Sequence, residues 1–185
     1  MIQVVGVGKG RGKGEGTSVA PGGSQPPVRI HPGQLRMQTE LSELELPLSC
    51  KIEFPDASDL MRFNIYIRPD EGFWRDARYK FTFLIKPLYP HDPPKVKCET
   101  PIYHPNIDLE GNVCLNILRE DWKPVLSISA VVYGLIHLLL DPNPNDPLNQ
   151  DAAELLRNNK PEFSRTVART LRGGYHQNIS FTKLI

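Results

Sequence analysis

The sequence predicts an α+β domain in which a four-stranded antiparallel meander is flanked by an N-terminal helix and three C-terminal helices. Two observations carry this prediction. Apolar and polar residues alternate in the middle of the chain, as in half-buried strands, and apolar residues recur every three or four positions on both sides of it, as in helices. Of the 185 residues, 39% are hydrophobic, which is enough to bury the core of one domain.

The first 33 residues differ in composition from everything that follows. Glycine occupies every even position from Gly6 to Gly16, and no regular apolar pattern accompanies it. This composition predicts a disordered, glycine-rich arm over residues 1–33 and a folded domain over residues 34–185. The even spacing excludes the phosphate-binding patterns GxGxxG and GxxxxGK, because both need two glycines an odd number of positions apart.

The arm begins with a small apolar hook. Its members are Met1, Ile2, Val4, Val5 and Val7. Composition alone fits an inert terminus and a docking element about equally well, so both readings stay open at this point.

Charge and cysteine content narrow the classes of function. Residues 1–33 carry a net charge of +3 and the remainder carries −2, so the folded part has no basic excess that could displace counterions from nucleic acid. The three cysteines show no CxxC spacing and cannot all pair internally, which favours the reducing cytoplasm and nucleus. The longest apolar run has eleven residues, too short to span a membrane. We therefore expect neither a nucleic-acid partner nor a membrane partner.

The elements follow in order from Leu35. Apolar residues at helical spacing predict the first helix, and they are Met37, Leu41 and Leu44. Pro47 is expected to end it. Four short segments with strand character come next: 50–54, 63–67, 79–85 and 95–98. Between the second and third, Pro69-Asp70-Glu71-Gly72 has turn chemistry, since proline presets φ and glycine permits a positive one.

Three further helices are predicted in the last third of the chain, over 128–139, 150–158 and 161–172. Ser127 is placed to cap the first of them, and Pro142 stops it because the residue before a proline disfavours helix. At the end of the last, Leu171-Arg172-Gly173-Gly174 matches the tail of ubiquitin-like modifiers. Because this tetrapeptide closes a helix, we interpret Gly173 instead as a C-terminal cap with positive φ.

The connection from Thr100 to Val125 shows little regular periodicity, and a loop of that length in a compact domain is often functional. It contains His104, Asn106 and Cys114. A thiol, an imidazole and an amide within eleven residues fit a nucleophilic site, but a buried cysteine and a loop histidine bonded to the backbone fit the same residues. The paired spacing of a zinc site is missing, so no metal is expected.

Five short motifs follow one another along the folded domain. They are Tyr89-Pro90 with Pro93-Pro94, Tyr103-His104-Pro105-Asn106-Ile107, Gly111-Asn112-Val113-Cys114-Leu115, Trp122-Lys123-Pro124, and Asp141-Pro142-Asn143-Pro144-Asn145-Asp146-Pro147-Leu148. In type, order and spacing they resemble the motifs of ubiquitin-conjugating enzymes, from about Leu35 to Gly174. The stretch from Tyr89 to Leu126 is similar to the branch of that family that conjugates NEDD/RUB-type modifiers. The resemblance implies the ubiquitin-conjugating-enzyme fold and a transferase activity.

The resemblance also implies a role for each residue of the site. Cys114 would carry the modifier's C-terminal glycine as a thioester, and Asn106 would stabilise the oxyanion or brace the loop that does so. Asp146 would orient the incoming lysine and favour its deprotonation. His104 and Pro105 would support the site structurally, since a general base beside the thioester would promote its hydrolysis.

The partners implied by the resemblance are a NEDD/RUB-type modifier, a heterodimeric activating enzyme that consumes the ATP, a RING-type ligase and a cullin substrate. No cofactor is expected on this chain itself. The ligase would dock on two loops that hold Pro90, His91, Trp122 and Pro124. Many ubiquitin-specific members have an aromatic residue where His91 stands, and this difference would affect the choice of ligase.

The apolar hook resembles an arm by which neddylation members dock on the activating enzyme, with valines in place of bulkier anchors. A terminal Met1-Ile2 is also compatible with acetylation and recognition by a neddylation co-ligase. Three alternatives remain: a conjugating enzyme for ubiquitin itself, a binding-only variant of the same fold, and a cysteine hydrolase. The presence of Cys114 disfavours the second, and the lack of an independently placed aspartate–histidine pair disfavours the third.

Overall fold

The computed structural model describes residues 31–176 and 179–185. The N-terminal half holds helix α1 (Pro32–Ser42) and strands β1 (Cys50–Glu53), β2 (Arg62–Ile67), β3 (Tyr79–Leu84) and β4 (Lys95–Cys98). A short 3₁₀-helix (Asn116–Leu118) precedes α2 (Ile128–Leu140), α3 (Gln150–Asn158), α4 (Lys160–Leu171), β5 (Gly174–His176) and β6 (Ile179–Phe181). The predicted α+β fold is confirmed. Most of the predicted arm, with the whole hook (Met1, Ile2, Val4, Val5 and Val7), lies outside the described residues.

Strands β1 to β4 form one antiparallel sheet in sequence order, the predicted meander. Ile65 on β2 lies opposite Ile52 on β1 and Phe81 on β3. Because successive side chains of a strand point to opposite faces, alternate residues of β2 and β3 reach the core together. Those with no solvent exposure are Phe63, Ile65, Ile67, Tyr79, Phe81 and Phe83.

Helix α2 is the apolar helix of the core. Its residues with no solvent exposure are Ile128, Val131, Val132, Leu135 and Leu139. The Ser127 hydroxyl accepts a hydrogen bond from the Ala130 N–H at the helix start, as predicted. The helix ends at Leu140, directly before Asp141-Pro142, and the segment that holds Asp146 follows it.

The predicted bounds of α1 are wrong at both ends. The helix begins at Pro32, three residues before Leu35, because proline suits the first helical position and the His31 N–H donates to Gln34 Oε1 at 3.2 Å. It ends at Ser42, so Leu44 and Pro47 lie beyond it. At the other end of the domain, Gly173 follows α4 with φ of +79°, which confirms the predicted cap.

The hairpin of β5 and β6 was not predicted from the sequence. Each of its strands has three residues, too few for alternation to register, and only Phe181 among them is buried. The Leu184 N–H donates to the Leu171 carbonyl at 2.8 Å, which fixes the chain after the hairpin to the end of α4. Among the described residues, no helix is long and apolar enough to cross a membrane.

Candidate active site

His104 anchors the long loop in the core. Its side chain has no solvent exposure and its ring stacks on Trp74 with 4.3 Å between centroids. Nδ1 accepts from the Asn106 N–H at 2.9 Å, so Nε2 carries the proton and donates to the Leu138 carbonyl at 2.9 Å. Burial lowers the pKa of His104 to about 3. The imidazole is therefore neutral, and both of its nitrogens are engaged with the backbone.

A pH dependence of stability follows from His104. Its pKa is about 3 in the fold against an ordinary 6.5, so the unfolded chain binds more protons than the folded chain between these values. The stability linked to neutral His104 is complete above pH 6.5 and is lost as the pH falls from 6.5 towards 3. We expect urea denaturation between pH 7.5 and 4.5 to show a flatter pH profile for His104→Gln than for the wild type, and lower stability at neutral pH.

The exposed His91 provides the matched control for this measurement, since its side chain lies outside the core. The profile of His91→Gln should follow that of the wild type. Parallel profiles for the wild type and His104→Gln would show that His104 is not the group that couples protonation to unfolding.

Asn106 holds the segment after α2 against the long loop. Its Oδ1 accepts from the Asn143 N–H at 2.8 Å, and its Nδ2 donates to the carbonyls of Asn143 at 2.6 Å and Asp146 at 3.0 Å. Its own carbonyl accepts from the Cys114 N–H at 2.8 Å. One buried residue thus fixes the backbone of both Cys114 and Asp146. The neighbouring Pro105 carbonyl, which accepts from the N–H groups of the two residues after Pro147, extends the same brace.

Cys114, Asp146 and Arg119 meet at one point. The Cys114 thiol donates to Asp146 Oδ2 at 2.9 Å, and Arg119 Nη2 lies 2.7 Å from Sγ and 3.0 Å from the same carboxylate oxygen. Burial and the hydrogen bond to Asp146 raise the pKa of Cys114 to about 11, against the opposing effect of Arg119. The thiol hydrogen bond and the Arg119 cation hold the pKa of Asp146 below its ordinary value. At neutral pH the site therefore holds a thiol beside a carboxylate.

The structure thus brings together all five residues expected at the site, three at the cleft and two, His104 and Pro105, in the hydrogen bonds that hold its loops. Cys114 is 6% exposed and Asn106 is 1% exposed, whereas Asp146 lies on the surface. Cys114, Asn106 and Asp146 line one open cleft together with residues of the 3₁₀-helix and of the end of α2. The Cys114 thiol thus lies in the wall of a cleft that is open to solvent. Within the described ranges, no group of three or more His, Cys, Asp or Glu side chains is placed to hold a metal ion.

Arg119 is a residue of the site that sequence reasoning did not assign. It follows Cys114 by five residues, and a cation near a cysteine is a recognised signal of altered thiol reactivity. The 3₁₀-helix between them turns the chain so that the arginine returns to the sulfur, and the Arg119 N–H donates to the Asn116 carbonyl at 2.9 Å. Spacing alone did not show this turn, because the stretch lacks periodicity.

The residues expected to bind a ligase form one surface. Trp122 Nε1 donates to the Pro90 carbonyl at 2.8 Å, and the Trp122 ring lies 5.9 Å from that of Tyr89. This contact joins the two loops that the sequence placed 32 residues apart. His91 and Pro124 are both exposed beside it. The two loops therefore offer a continuous surface, and ligase binding there stays a prediction.

The structure combines an antiparallel meander with an apolar helix, α2. The loop between them carries a cysteine and a buried His-Pro-Asn segment, and this combination is typical of one class of enzyme. The family model for ubiquitin-conjugating enzymes matches residues 36–171, and the chain belongs to that family. Its activity is therefore that of a conjugating transferase for ubiquitin-like proteins, as the motifs predicted.

The similarity to particular relatives points to one branch of this family. The chain is 57% identical over 141 residues to a Nedd8-conjugating enzyme, UbcE2M, of Drosophila melanogaster. This alignment covers 76% of this chain and 78% of the relative. It is 55% identical over 154 residues to the NEDD8-conjugating enzyme Ubc12 of Arabidopsis thaliana, covering 83% and 84%. The solved structure of S. cerevisiae Ubc12 superposes with a TM-score of 0.79 at 40% identity, over 84% of this chain and 88% of that one. These matches confirm the predicted fold and the resemblance to the NEDD/RUB branch.

Proposed function

We propose that this protein accepts a NEDD8-type (NEDD/RUB) modifier from its activating enzyme as a thioester on Cys114 and transfers it to a substrate lysine, with cullins as the substrates. The observation that carries the proposal is the contact of the Cys114 thiol with Asp146 at 2.9 Å, in a chain of this family. The names of the relatives supply the modifier.

Charging requires the Cys114 sulfur to act as a nucleophile. The sulfur forms a bond to the modifier's C-terminal carbonyl carbon, the bond from that carbon to the activating enzyme breaks with its electron pair staying on the activating enzyme, and the thiol proton passes to solvent. Because the pKa of Cys114 is raised to about 11, the resting protein keeps its thiol protonated and protected until the modifier arrives. ATP is used by the activating enzyme, so this chain needs no cofactor.

Discharge requires a lysine amine that has lost its proton. Once Cys114 is acylated it no longer donates to Asp146, so Oδ2 becomes available to the incoming ammonium group. The lowered pKa of Asp146 keeps that carboxylate ionised at neutral pH, which suits it to orient the lysine and favour deprotonation. The amine nitrogen then bonds to the carbonyl carbon and gives up a second proton to solvent, the carbon–sulfur bond breaks and Cys114 leaves with the electron pair.

The role of Asn106 in this proposal is to brace the loop. Both hydrogens of its amide already point at the carbonyls of Asn143 and Asp146, and its oxygen is occupied by the Asn143 N–H. An amide with all these contacts has no donor left for an oxyanion unless the loop opens. His104 acts one step further back, by fixing the Asn106 backbone.

The engagement of His104 with the backbone distinguishes this site from that of a cysteine hydrolase, in which a histidine acts as the general base. The neutral His104 imidazole is engaged at both nitrogens, so it cannot activate water beside the thioester. A carrier benefits from this arrangement, because its thioester must survive until a lysine arrives.

The proposed partners occupy separate parts of the protein. A RING-type ligase docks on the joined loops of Pro90 and Trp122, with His91 contributing to the choice of ligase. The activating enzyme binds the apolar hook of Met1, Ile2, Val4, Val5 and Val7. The cascade operates in the cytoplasm and nucleus.

Charging assays with purified activating enzymes test the choice of modifier. The full chain should form a thiol-sensitive adduct with the NEDD8-type modifier and its activating enzyme, and little or none with ubiquitin and its own. A chain lacking residues 1–28, which leaves α1 intact, should charge more slowly if the hook docks. Preferential charging with ubiquitin would instead assign the protein to the ubiquitin branch of the family.

A further inference from the structure

Arg119 lies at the centre of the site without a role in the steps above. The same nitrogen, Nη2, lies 2.7 Å from Cys114 Sγ and 3.0 Å from Asp146 Oδ2. Since Sγ and Oδ2 are themselves 2.9 Å apart, the guanidinium, the sulfur and the carboxylate form a closed triangle. The arginine side chain is 44% exposed, so its contact with a buried sulfur is not imposed by packing in the core.

Charged groups of both signs surround the Cys114 sulfur. Asp146 and Glu120 both disfavour a negative sulfur, and Arg119 favours it. The remaining titratable groups along the cleft are His137, at the end of α2, and Asp141, just after that helix. Among the described residues, Arg119 is the one cation in hydrogen-bonding distance of Sγ. A sulfur that attacks a carbonyl gains negative charge as its proton leaves, and this cation stabilises that charge.

We propose that Arg119 is a further catalytic residue of the charging step, whose guanidinium stabilises the Cys114 thiolate against the repulsion of Asp146. When the carbon–sulfur bond forms, the sulfur becomes neutral and Arg119 retains its ion pair with Asp146 alone. That this stabilisation serves a charging step rests on the proposed function. The effect of Arg119 on the Cys114 thiol does not, because it is a property of this chain by itself.

This assignment predicts that the two half-reactions respond differently to Arg119. Removing the guanidinium should slow charging, because less thiolate is present when the modifier arrives. Discharge should slow less, because the sulfur becomes negative there only after the amine has attacked, and Asp146 becomes more accessible to the lysine without its ion pair. A residue needed only for folding would affect both steps together.

The test is the pH dependence of Cys114 alkylation by iodoacetamide, followed at the Cys114 peptide by mass spectrometry so that Cys50 and Cys98 do not contribute. For Arg119→Ala the rate at pH 8 should fall about two- to fivefold, because the raised thiol pKa leaves less thiolate and the more nucleophilic thiolate offsets part of this loss. Arg119→Lys should recover part of the rate, since it keeps the charge without the planar fork.

Arg75→Ala is the matched control, because Arg75 is also exposed and its ion pair is with the adjacent Asp76. Its alkylation profile should equal that of the wild type, and all variants should share the wild-type denaturation midpoint. An unchanged profile for Arg119→Ala would overturn the inference whether or not the protein charges. A shifted profile in a protein that no modifier charges would keep the stabilisation of the Cys114 thiolate by Arg119 and reject the proposed function.

Discussion

Replacement of Cys114 by alanine is expected to abolish the modifier adduct completely, whereas Cys114→Ser should trap an adduct that thiols cannot cleave. Alanine offers no nucleophile, so the loss should exceed the detection range of a gel assay. Serine places a hydroxyl where Sγ stands, and the ester that it forms is a poorer acyl donor to amines than a thioester. Non-reducing gels with and without dithiothreitol after a charging reaction distinguish these results.

The other two cysteines supply the control for this experiment. Cys50 is half-buried and Cys98 is buried, and burial raises the pKa of Cys98 to about 12. Neither lies in the cleft of Cys114, so Cys50→Ser should charge like the wild type. A reducible adduct on the Cys114→Ala protein would reject Cys114 as the carrier.

The second large effect is expected at Asn106 and Asp146, and it should fall on discharge. Asn106→Ala leaves the N–H and carbonyl of Asn143 and the carbonyl of Asp146 without their partner, so the segment that carries the Asp146 side chain loses its brace. Asp146→Asn keeps that segment and removes the charge that orients the lysine. We expect single-turnover transfer to free lysine to slow by about 10²–10³ for each variant, because the carboxylate that meets the lysine is misplaced in one and uncharged in the other.

Charging of these two variants should survive. Asp146→Asn removes the carboxylate that raises the pKa of Cys114, so its thiol should alkylate faster than that of the wild type. Glu154→Gln, which changes an exposed carboxylate on α3 outside the cleft, should leave both steps unchanged. Equal losses of charging and discharge in Asn106→Ala would point to misfolding rather than to the loss of the brace that positions Asp146.

Periodicity was sufficient for most of the fold. The bounds predicted for β4 and α3 agree with the structure, because alternation in the one and helical spacing in the other are uninterrupted. The β5–β6 hairpin could not be found this way, since three-residue strands with one buried side chain leave no pattern. The early start of α1 depends on Pro32 and Gln34 at its first turn, which are polar or neutral in any hydrophobic pattern.

Only part of the site could be predicted from the sequence, because its residues come from separate parts of the chain. His104, Asn106 and Cys114 lie within eleven residues, so their proximity could be read from the sequence. Asp146 is 32 residues beyond Cys114, and only the resemblance to a family placed it at the site. The contact of Arg119 with the sulfur requires the 3₁₀-helix to reverse the chain, and no local pattern encodes that turn.

The central claim is that Cys114 carries a NEDD8-type modifier, and a competition experiment tests it most directly. The protein is mixed with equal amounts of NEDD8-type modifier and ubiquitin, both activating enzymes and ATP, and the adduct is mapped by tandem mass spectrometry without reduction. We predict one dominant adduct, in which the C-terminal glycine of the NEDD8-type modifier is joined to Cys114. A dominant ubiquitin adduct, or a modifier found on any residue other than Cys114, would contradict the account.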